Sequence, residues 1–318
     1  MRWLVTGSSG FLGRAVVTAL SKDSANKVVG LRSPFTEGNR TSVSPNTLNF
    51  DLSTVAVSCV RESLLAHNID HIIHCAGRTP PARSEELWAH NTRATACLLE
   101  ACEGLQRPVR VVLVGSAAEL GPVPACHLPI DEQCPCRPVD PYGLSKWAAT
   151  TLGLSLPQES HVECLVARVF NPIGPGLPAS QAFGHFARKL ASARIEPINL
   201  SVGDLSARRD FVDVSDLAKG LIALALHGHP RTLYNVAGGK SHSIGEGLGI
   251  LLRLSGLSAI ISANDRPRAG PAESQANIDR ITHDVGWTPT TSFEQSLEAL
   301  WNWVGEPNRR QSDDRHAA

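Results

Sequence analysis

The sequence predicts an α/β fold: a doubly wound parallel sheet followed by a smaller C-terminal lobe. Three observations carry this. The short apolar run Arg2 to Val5 leads directly into glycines at 7, 10 and 13, after which Ala15, Val16, Ala19 and Leu20 fall at helical spacing. Further strand-like runs at Lys27–Leu31, Ile69–Gly77 and Val109–Gly115 have the apolar, β-branched character of strands covered on both faces. At 318 residues the chain shows no repeat and no long low-complexity linker, so one principal domain with a second lobe is the economical arrangement.

Bulk properties narrow the function. Lys plus Arg and Asp plus Glu both count 30, which leaves no global field for nucleic acid or an anionic membrane; an anionic ligand must be held by local arginines. No apolar run approaches the length of a membrane span, and the sequence opens on a strand rather than a signal segment, so a soluble, cytoplasmic protein is expected. Eight scattered cysteines fit reduced thiols better than a disulfide framework. The cluster Cys126, His127, Cys134 and Cys136 matches no familiar zinc spacing and lies among prolines, so no metal is expected.

Taken in order, the first element is the glycine turn. Between a buried strand and a helix, backbone without Cβ atoms can approach a pyrophosphate at the helix N-terminus, which makes Gly7, Ser9, Gly10, Phe11, Leu12 and Gly13 the expected cofactor contacts. Alone, the triplet would equally be an ordinary tight turn. Its spacing, Gly-x-x-Gly-x-x-Gly, resembles the short-chain dehydrogenase/reductase superfamily, and the resemblance implies a Rossmann-type sheet with a dinucleotide site.

The second strand, Lys27 to Leu31, ends without the carboxylate that usually holds the adenosine ribose. Gly30-Leu31-Arg32-Ser33-Pro34 instead offers a guanidinium suited to a 2′-phosphate, which favours NADP over NAD; the alternative is a solvated loop arginine in the irregular stretch 34–45. Asn49-Phe50-Asp51-Leu52 reads as a short strand whose Asp51 can accept from the adenine amino group. Ile69 to Gly77 reads as the fourth strand, with Cys75, Ala76 and Gly77 lying against the cofactor. His71 and His74, three apart, face opposite sides of that strand, so ordinary packing is expected rather than metal binding. Glu85 to Gly104 is helical, and Asn91 in its middle, a poor helix former, either holds backbone or water beside the active site or is a core polar group.

The catalytic pattern follows. Val109 to Gly115 delivers Ser116 at the carboxyl end of a central strand, and Tyr142-Gly143-Leu144-Ser145-Lys146 places a phenol and an ammonium one helical turn apart. An ammonium beside a phenol favours the phenolate, so Tyr142 is expected to exchange a proton with a substrate oxygen that Ser116 holds, while a hydride crosses to or from a nicotinamide.

Longer segments narrow the resemblance. Asp140-Pro141-Tyr142-Gly143-Leu144-Ser145-Lys146, Ala167-Arg168-Val169-Phe170-Asn171-Pro172-Ile173-Gly174-Pro175-Gly176, Arg208-Arg209-Asp210-Phe211-Val212-Asp213-Val214 and Gly286-Trp287-Thr288-Pro289 are similar to the extended short-chain dehydrogenases acting on nucleotide sugars. Val202-Gly203-Asp204-Leu205 looks most like the GDP-4-keto-6-deoxymannose reductases. The resemblance implies that Val169 and Phe170 line the nicotinamide, that Asn171 holds a substrate phosphate, that Arg209 and Arg268 meet the diphosphate, that Lys146 binds the nicotinamide ribose, and that the protein is a homodimer. Arg209 is alternatively an ion-pair partner of Asp210 or Asp213, Arg268 a loop charge, and the faces of Leu98, Ala101, Ala148 and Leu152 core rather than interface. Two departures matter. Ala117 and Ala118 stand where dehydratases carry an acid, which disfavours elimination, and Gly270 replaces an arginine common in the reductases.

The division expected is a dinucleotide-binding part over 1–170 carrying Ser-Tyr-Lys, a mainly substrate-binding lobe over 171–304 with elements returning to the sheet, and a disordered polar tail over 305–318. The leading expectation is an NADP-dependent reductase of a nucleotide-diphosphate 4-keto-6-deoxy sugar. Its rival is a nucleotide-sugar 4-epimerase that retains NAD. A third reading, from another class, is a non-catalytic NADP-binding interaction subunit, against which the intact Ser-Tyr-Lys set counts.

Overall fold

The computed structural model describes residues 1–34, 46–263 and 272–316, with side chains up to residue 305 at the C-terminal end. Its strands are β1 (Arg2–Thr6), β2 (Lys27–Arg32), β3 (Thr47–Asn49), β4 (His71–His74), β5 (Val109–Ser116), β6 (Val162–Val169), β7 (Asn171–Ile173), β8 (Ile198–Val202), β9 (Arg208–Asp213), β10 (Leu233–Val236), β11 (Ser241–Ser243) and β12 (Ala259–Ala263). Its helices are α1 (Phe11–Leu20), α2 (Val57–Ala66), α3 (Ser84–Leu87), α4 (Ala94–Glu103), α5 (Pro141–Leu154), α6 (Ala182–Ala191), α7 (Val214–His227), α8 (Ile244–Ser255), α9 (Asp279–Val285) and α10 (Phe293–His316).

Seven strands pair in the order β10-β6-β5-β4-β1-β2-β3, every pair parallel. The order runs outward from β1 in both directions, so the sheet is doubly wound, with its switch point beside the glycine turn. Alternation along the strands feeds two cores. Leu4, Ile72, Val111 and Val166 pack with Val60, Leu64 and Leu98 of α2 and α4 on one face, while Val5, Ile73, Val112 and Leu165 pack with Val16, Leu217 and Leu221 of α1 and α7 on the other.

The smaller lobe has two short sheets, β11-β9-β7 and β12-β8, and its own apolar cluster, in which Phe183, Phe186, Leu190, Leu248, Leu251, Leu297 and Leu300 from α6, α8 and α10 meet. Phe211 and His242 stack on Phe293 at 5.1 and 4.4 Å between ring centroids, tying β9 and β11 to α10. The two parts are joined by Asp216 of α7, which accepts from the backbone nitrogens of Thr290 and Thr291 at 2.7 and 2.6 Å just ahead of α10.

Several expected boundaries move. β3 stops at Asn49, so Asp51 lies in the following turn, where its carboxylate is held by Ser53 rather than by strand pairing. The helix expected over 85–104 is continuous from Ser84 to Glu103, but its middle turn, Trp88–Arg93, is a π-helix, with Asn91 inside it. The backbone of α10 continues into the stretch 305–318 as far as His316. Among the described residues no helix is long and apolar enough to cross a membrane.

Candidate active site

The turn after β1 is as tight as its glycines demand. Gly7 has φ +64°, and a Cβ there would stand 2.8 Å from the Ala76 nitrogen; one on Gly13 would stand 2.1 Å from the Gly7 carbonyl oxygen. β1, β4 and α1 therefore meet backbone to backbone. Gly10 caps α1 with no side-chain hydrogen bond and no acidic residue follows in the first turn, so the helix start offers its N–H groups to an anion. Ser9, Phe11 and Leu12 sit half-buried in the same turn, and the residues present fit a dinucleotide pyrophosphate.

β5 ends on Ser116, and a single tight turn, Ala117–Leu120, follows it. α5 starts where Asp140 accepts from the Gly143 nitrogen at 2.8 Å with Pro141 as the first helical residue, which sets Tyr142 in the first turn and Lys146 in the next. The Ser116 hydroxyl, which accepts from the Ala118 nitrogen at 3.2 Å, lies near enough to the Tyr142 hydroxyl to influence its ionisation. Lys146 is turned elsewhere: its Nζ donates to the Val114 carbonyl at 2.5 Å. The expectation that its ammonium acidifies the phenol is therefore corrected here. Burial raises the Tyr142 pKa above its usual value, opposed by the nearby Ser116 side chain, and burial lowers that of Lys146, opposed by Glu119.

Beneath this trio lies a buried polar layer. Glu119, fully buried, accepts from the Ser116 nitrogen at 2.7 Å and the Thr150 hydroxyl at 3.0 Å, and its second oxygen faces Arg168 Nε at 3.4 Å. The first acid after the Ala117-Ala118 pair is thus committed to holding the end of β5. Asn91 accepts from the Arg78 nitrogen at 2.7 Å and donates to the Arg78 carbonyl at 3.0 Å and to Ser145 Oγ at 2.9 Å, so of its two expected roles it holds backbone. A Cβ on Gly77 would press on that amide, 2.8 Å from Oδ1. Cys75, beside Gly77, has its thiol pushed up to about 12 by burial and is an unreactive neighbour of Lys146.

At the adenosine end Arg32 Nε donates to Asn49 Oδ1 at 2.5 Å across the β2–β3 pair, and Asp51 lies 3.6 Å from His90 with Leu52 buried beside it. On the substrate side Val169 and Phe170 are buried at the end of β6; Asn171 donates to the Asp210 carbonyl and Arg209 to the Arg208 carbonyl, each at 2.8 Å. Both of those bonds are to backbone carbonyls of β9. Arg268 lies outside the described residues. Cys134 and Cys136 pack against Leu120, Ile130 and Phe170, with Cys136 accepting from Arg168 at 3.0 Å.

Sequence reasoning passed over Thr6, Thr95, Ser145 and Glu119, and read His74 as ordinary packing. Glu119 had a signal: Ser116-Ala117-Ala118-Glu119 is a capping box, and the structure forms it. The others are single polar residues in apolar runs, with nothing local to distinguish them.

Residues 3–237 match the model of the NAD dependent epimerase/dehydratase family. The chain belongs to that family. Among curated members it is 32% identical to the GDP-6-deoxy-D-mannose reductase of Pseudomonas aeruginosa over 73% of this chain and 79% of that protein, and 26% identical to the UDP-glucose 4-epimerase of Azospirillum brasilense over 96% and 95%. Among solved family structures, RMD from Pseudomonas aeruginosa complexed with NADPH superposes with a TM-score of 0.79 at 28% identity, covering 96% of this chain and 99% of that one. MoeE5 in complex with UDP-glucose and NAD superposes with a TM-score of 0.83 at 26% identity, covering 97% and 100%. This family member is therefore an NAD(P)-dependent enzyme that modifies nucleotide sugars.

Proposed function

We propose that the chain is a nucleotide-diphosphate sugar 4-epimerase that keeps NAD through the cycle. The observation that carries the chemistry is the placement of Ser116 at the carboxyl end of central strand β5, with Tyr142 in the first turn of α5 and Lys146 one turn on, in a sheet whose first strand runs into the glycine turn. Ser116 holds the C4 oxygen, and Tyr142 takes its proton on oxidation and returns it on reduction. Bound NAD supplies the hydride acceptor and then the donor. Cys75 to Gly77, Asp51 and Leu52 flank the cofactor, and Asn171, Arg209 and Arg268 are assigned to the sugar nucleotide by resemblance. NAD is favoured because Arg32 is engaged with Asn49 and because a relative of full coverage is solved with NAD and UDP-glucose.

The second reading is the 4-keto-6-deoxy sugar nucleotide reductase with NADPH. It is favoured by the absence of a carboxylate at the end of β2, by the relative at 32% identity and by the NADPH-bound structure. One experiment separates them: release the nucleotide from purified protein, identify it, and incubate UDP-glucose with the protein and no added cofactor. Bound NAD and appearance of the C4 epimer support the epimerase; an empty protein that consumes NADPH only with a 4-keto-6-deoxy sugar nucleotide supports the reductase.

A homodimer is part of the proposal. Leu98 and Ala101 are core, whereas Trp88, Leu144, Trp147 and Leu152 are exposed on the π-helical turn and α5, an apolar face that a second copy would cover. A monomer by light scattering would reject it. Eight unpaired thiols support a reducing compartment such as the cytoplasm.

A further inference from the structure

His74 is buried at the end of β4 and lies outside the chemistry described above. Its Nδ1 is 2.8 Å from Thr6 Oγ1 and its Nε2 is 3.1 Å from Thr95 Oγ1. The protons in this array can be placed one at a time. The Asn91 carbonyl can only accept, so the Thr95 hydroxyl, 2.6 Å away, donates to it and must itself accept from Nε2–H. On the other side the Ala76 nitrogen donates to Thr6 Oγ1 at 3.0 Å, and the Thr6 hydroxyl is left to donate to an unprotonated Nδ1. Burial, with Lys146 adding to it, holds the imidazole neutral by lowering its pKa to about 3. Cys75, the other titratable group beside it, is an un-ionised thiol.

Each end of this run touches a different part of the site. Thr6 and Ala76 are the backbone floor against which Gly7 is pressed. Asn91 fixes Ser145 at 2.9 Å, and Ser145 donates to the Tyr142 carbonyl at 2.8 Å. All the polar members, Thr6, His74, Thr95, Asn91 and Ser145, are at most 3% exposed. Buried polar networks of this kind fix one arrangement only when every member is satisfied.

We infer that His74 is a positioning residue, neutral with its proton on Nε2, that couples the dinucleotide floor through Thr6 to the Tyr142 helix through Thr95 and Asn91. The inference rests on the proposed dinucleotide-dependent reaction, and two substitutions split its halves. His74→Asn keeps an amide oxygen near the height of Nδ1 to accept from Thr6 and loses the donor to Thr95. His74→Gln keeps an amide N–H near Nε2 and loses the acceptor for Thr6.

The measurements are dinucleotide Kd by calorimetry, kcat on the sugar nucleotide, and ¹⁵N NMR of the His74 ring. His74→Asn is expected to keep the dinucleotide Kd and lower kcat about tenfold, and His74→Gln to raise the Kd about tenfold with the smaller change in kcat. A role in packing alone would move both quantities together in both variants, and that result overturns the inference, as does no change in either. If the variants fail to fold, the wild-type ring decides: a pyrrole-type Nε2 and an imine-type Nδ1 uphold it, whereas the opposite tautomer or an imidazolium refutes it. Wild-type protein that binds neither NAD nor NADP overturns the functional reading and the coupling with it.

Discussion

The nicotinamide half of the molecule and the smaller lobe are built by different means. In the first, polar side chains from β1, β4, the π-helical turn, β5, α5 and β6 bind one another across the sheet: Thr6 with His74, Asn91 with Ser145, Glu119 with Ser116, Thr150 and Arg168. In the second, cohesion comes from Phe183, Phe211, Phe293 and the leucines of α6, α8 and α10. Directional bonds fix atoms to within a hydrogen-bond length, whereas apolar packing tolerates exchange of similar volumes. The half proposed to carry the reaction is fixed by directional bonds, and the half proposed to discriminate sugars by packing that tolerates variation.

The sharpest way to break this contrast is at the trio. Tyr142→Phe should lower kcat about 10³-fold with an unchanged melting temperature, and Ser116→Ala about 10²-fold. Retained turnover in the tyrosine variant would remove the chemistry from this half altogether. Next in size is Gly13→Ala, whose methyl group would meet the Gly7 carbonyl; dinucleotide binding by calorimetry should disappear and thermal stability should fall by about 3 kcal/mol. An equivalent methyl at Gly249 in α8, where a Cβ meets nothing within 4 Å, should cost nothing.

Asp216 tests the joint between the halves. Burial by itself would raise its carboxyl, but hydrogen bonds from Lys219, Thr291 and Thr290 prevail and hold it at about 2. Because the folded value lies below the unfolded one of about 3.9, the stabilisation, about 2 kcal/mol, is complete above about pH 4 and is lost as pH falls through about 2. Urea melts of Asp216→Asn across that window should lack this acid limb, and an unchanged limb would place the sensitivity elsewhere. Smallest is Arg32→Ala, expected to change NAD affinity less than about threefold; a tenfold loss of NADP affinity with NAD unchanged would move the cofactor assignment to NADP.

Much of the reactive half was legible in the chain itself. Gly7, Gly10 and Gly13 between a strand and a helix, Ser116 at a strand end, and Tyr142 and Lys146 one turn apart are local patterns whose geometry follows from helical and strand periods. The direction of Lys146 was not legible. A four-residue spacing puts two side chains on one helix face, but only the β5 backbone packed against α5 offers the Val114 carbonyl that claims the ammonium. Asn171 was likewise read from resemblance, and its hydrogen bond to the Asp210 carbonyl depends on the β7–β9 pairing, which sequence spacing does not reveal.

The amino-acid sequence by itself determined the doubly wound sheet, the glycine turn and the placement of Ser116 at a strand end with Tyr142 and Lys146 one helical turn apart, because each is specified by neighbours within one or two turns of chain. Tertiary structure alone decided which polar groups meet. Thr6 finds His74 across 68 residues and Glu119 finds Arg168 across 49, contacts fixed by strand order and burial, where an unpaired polar atom is too costly to leave unmatched.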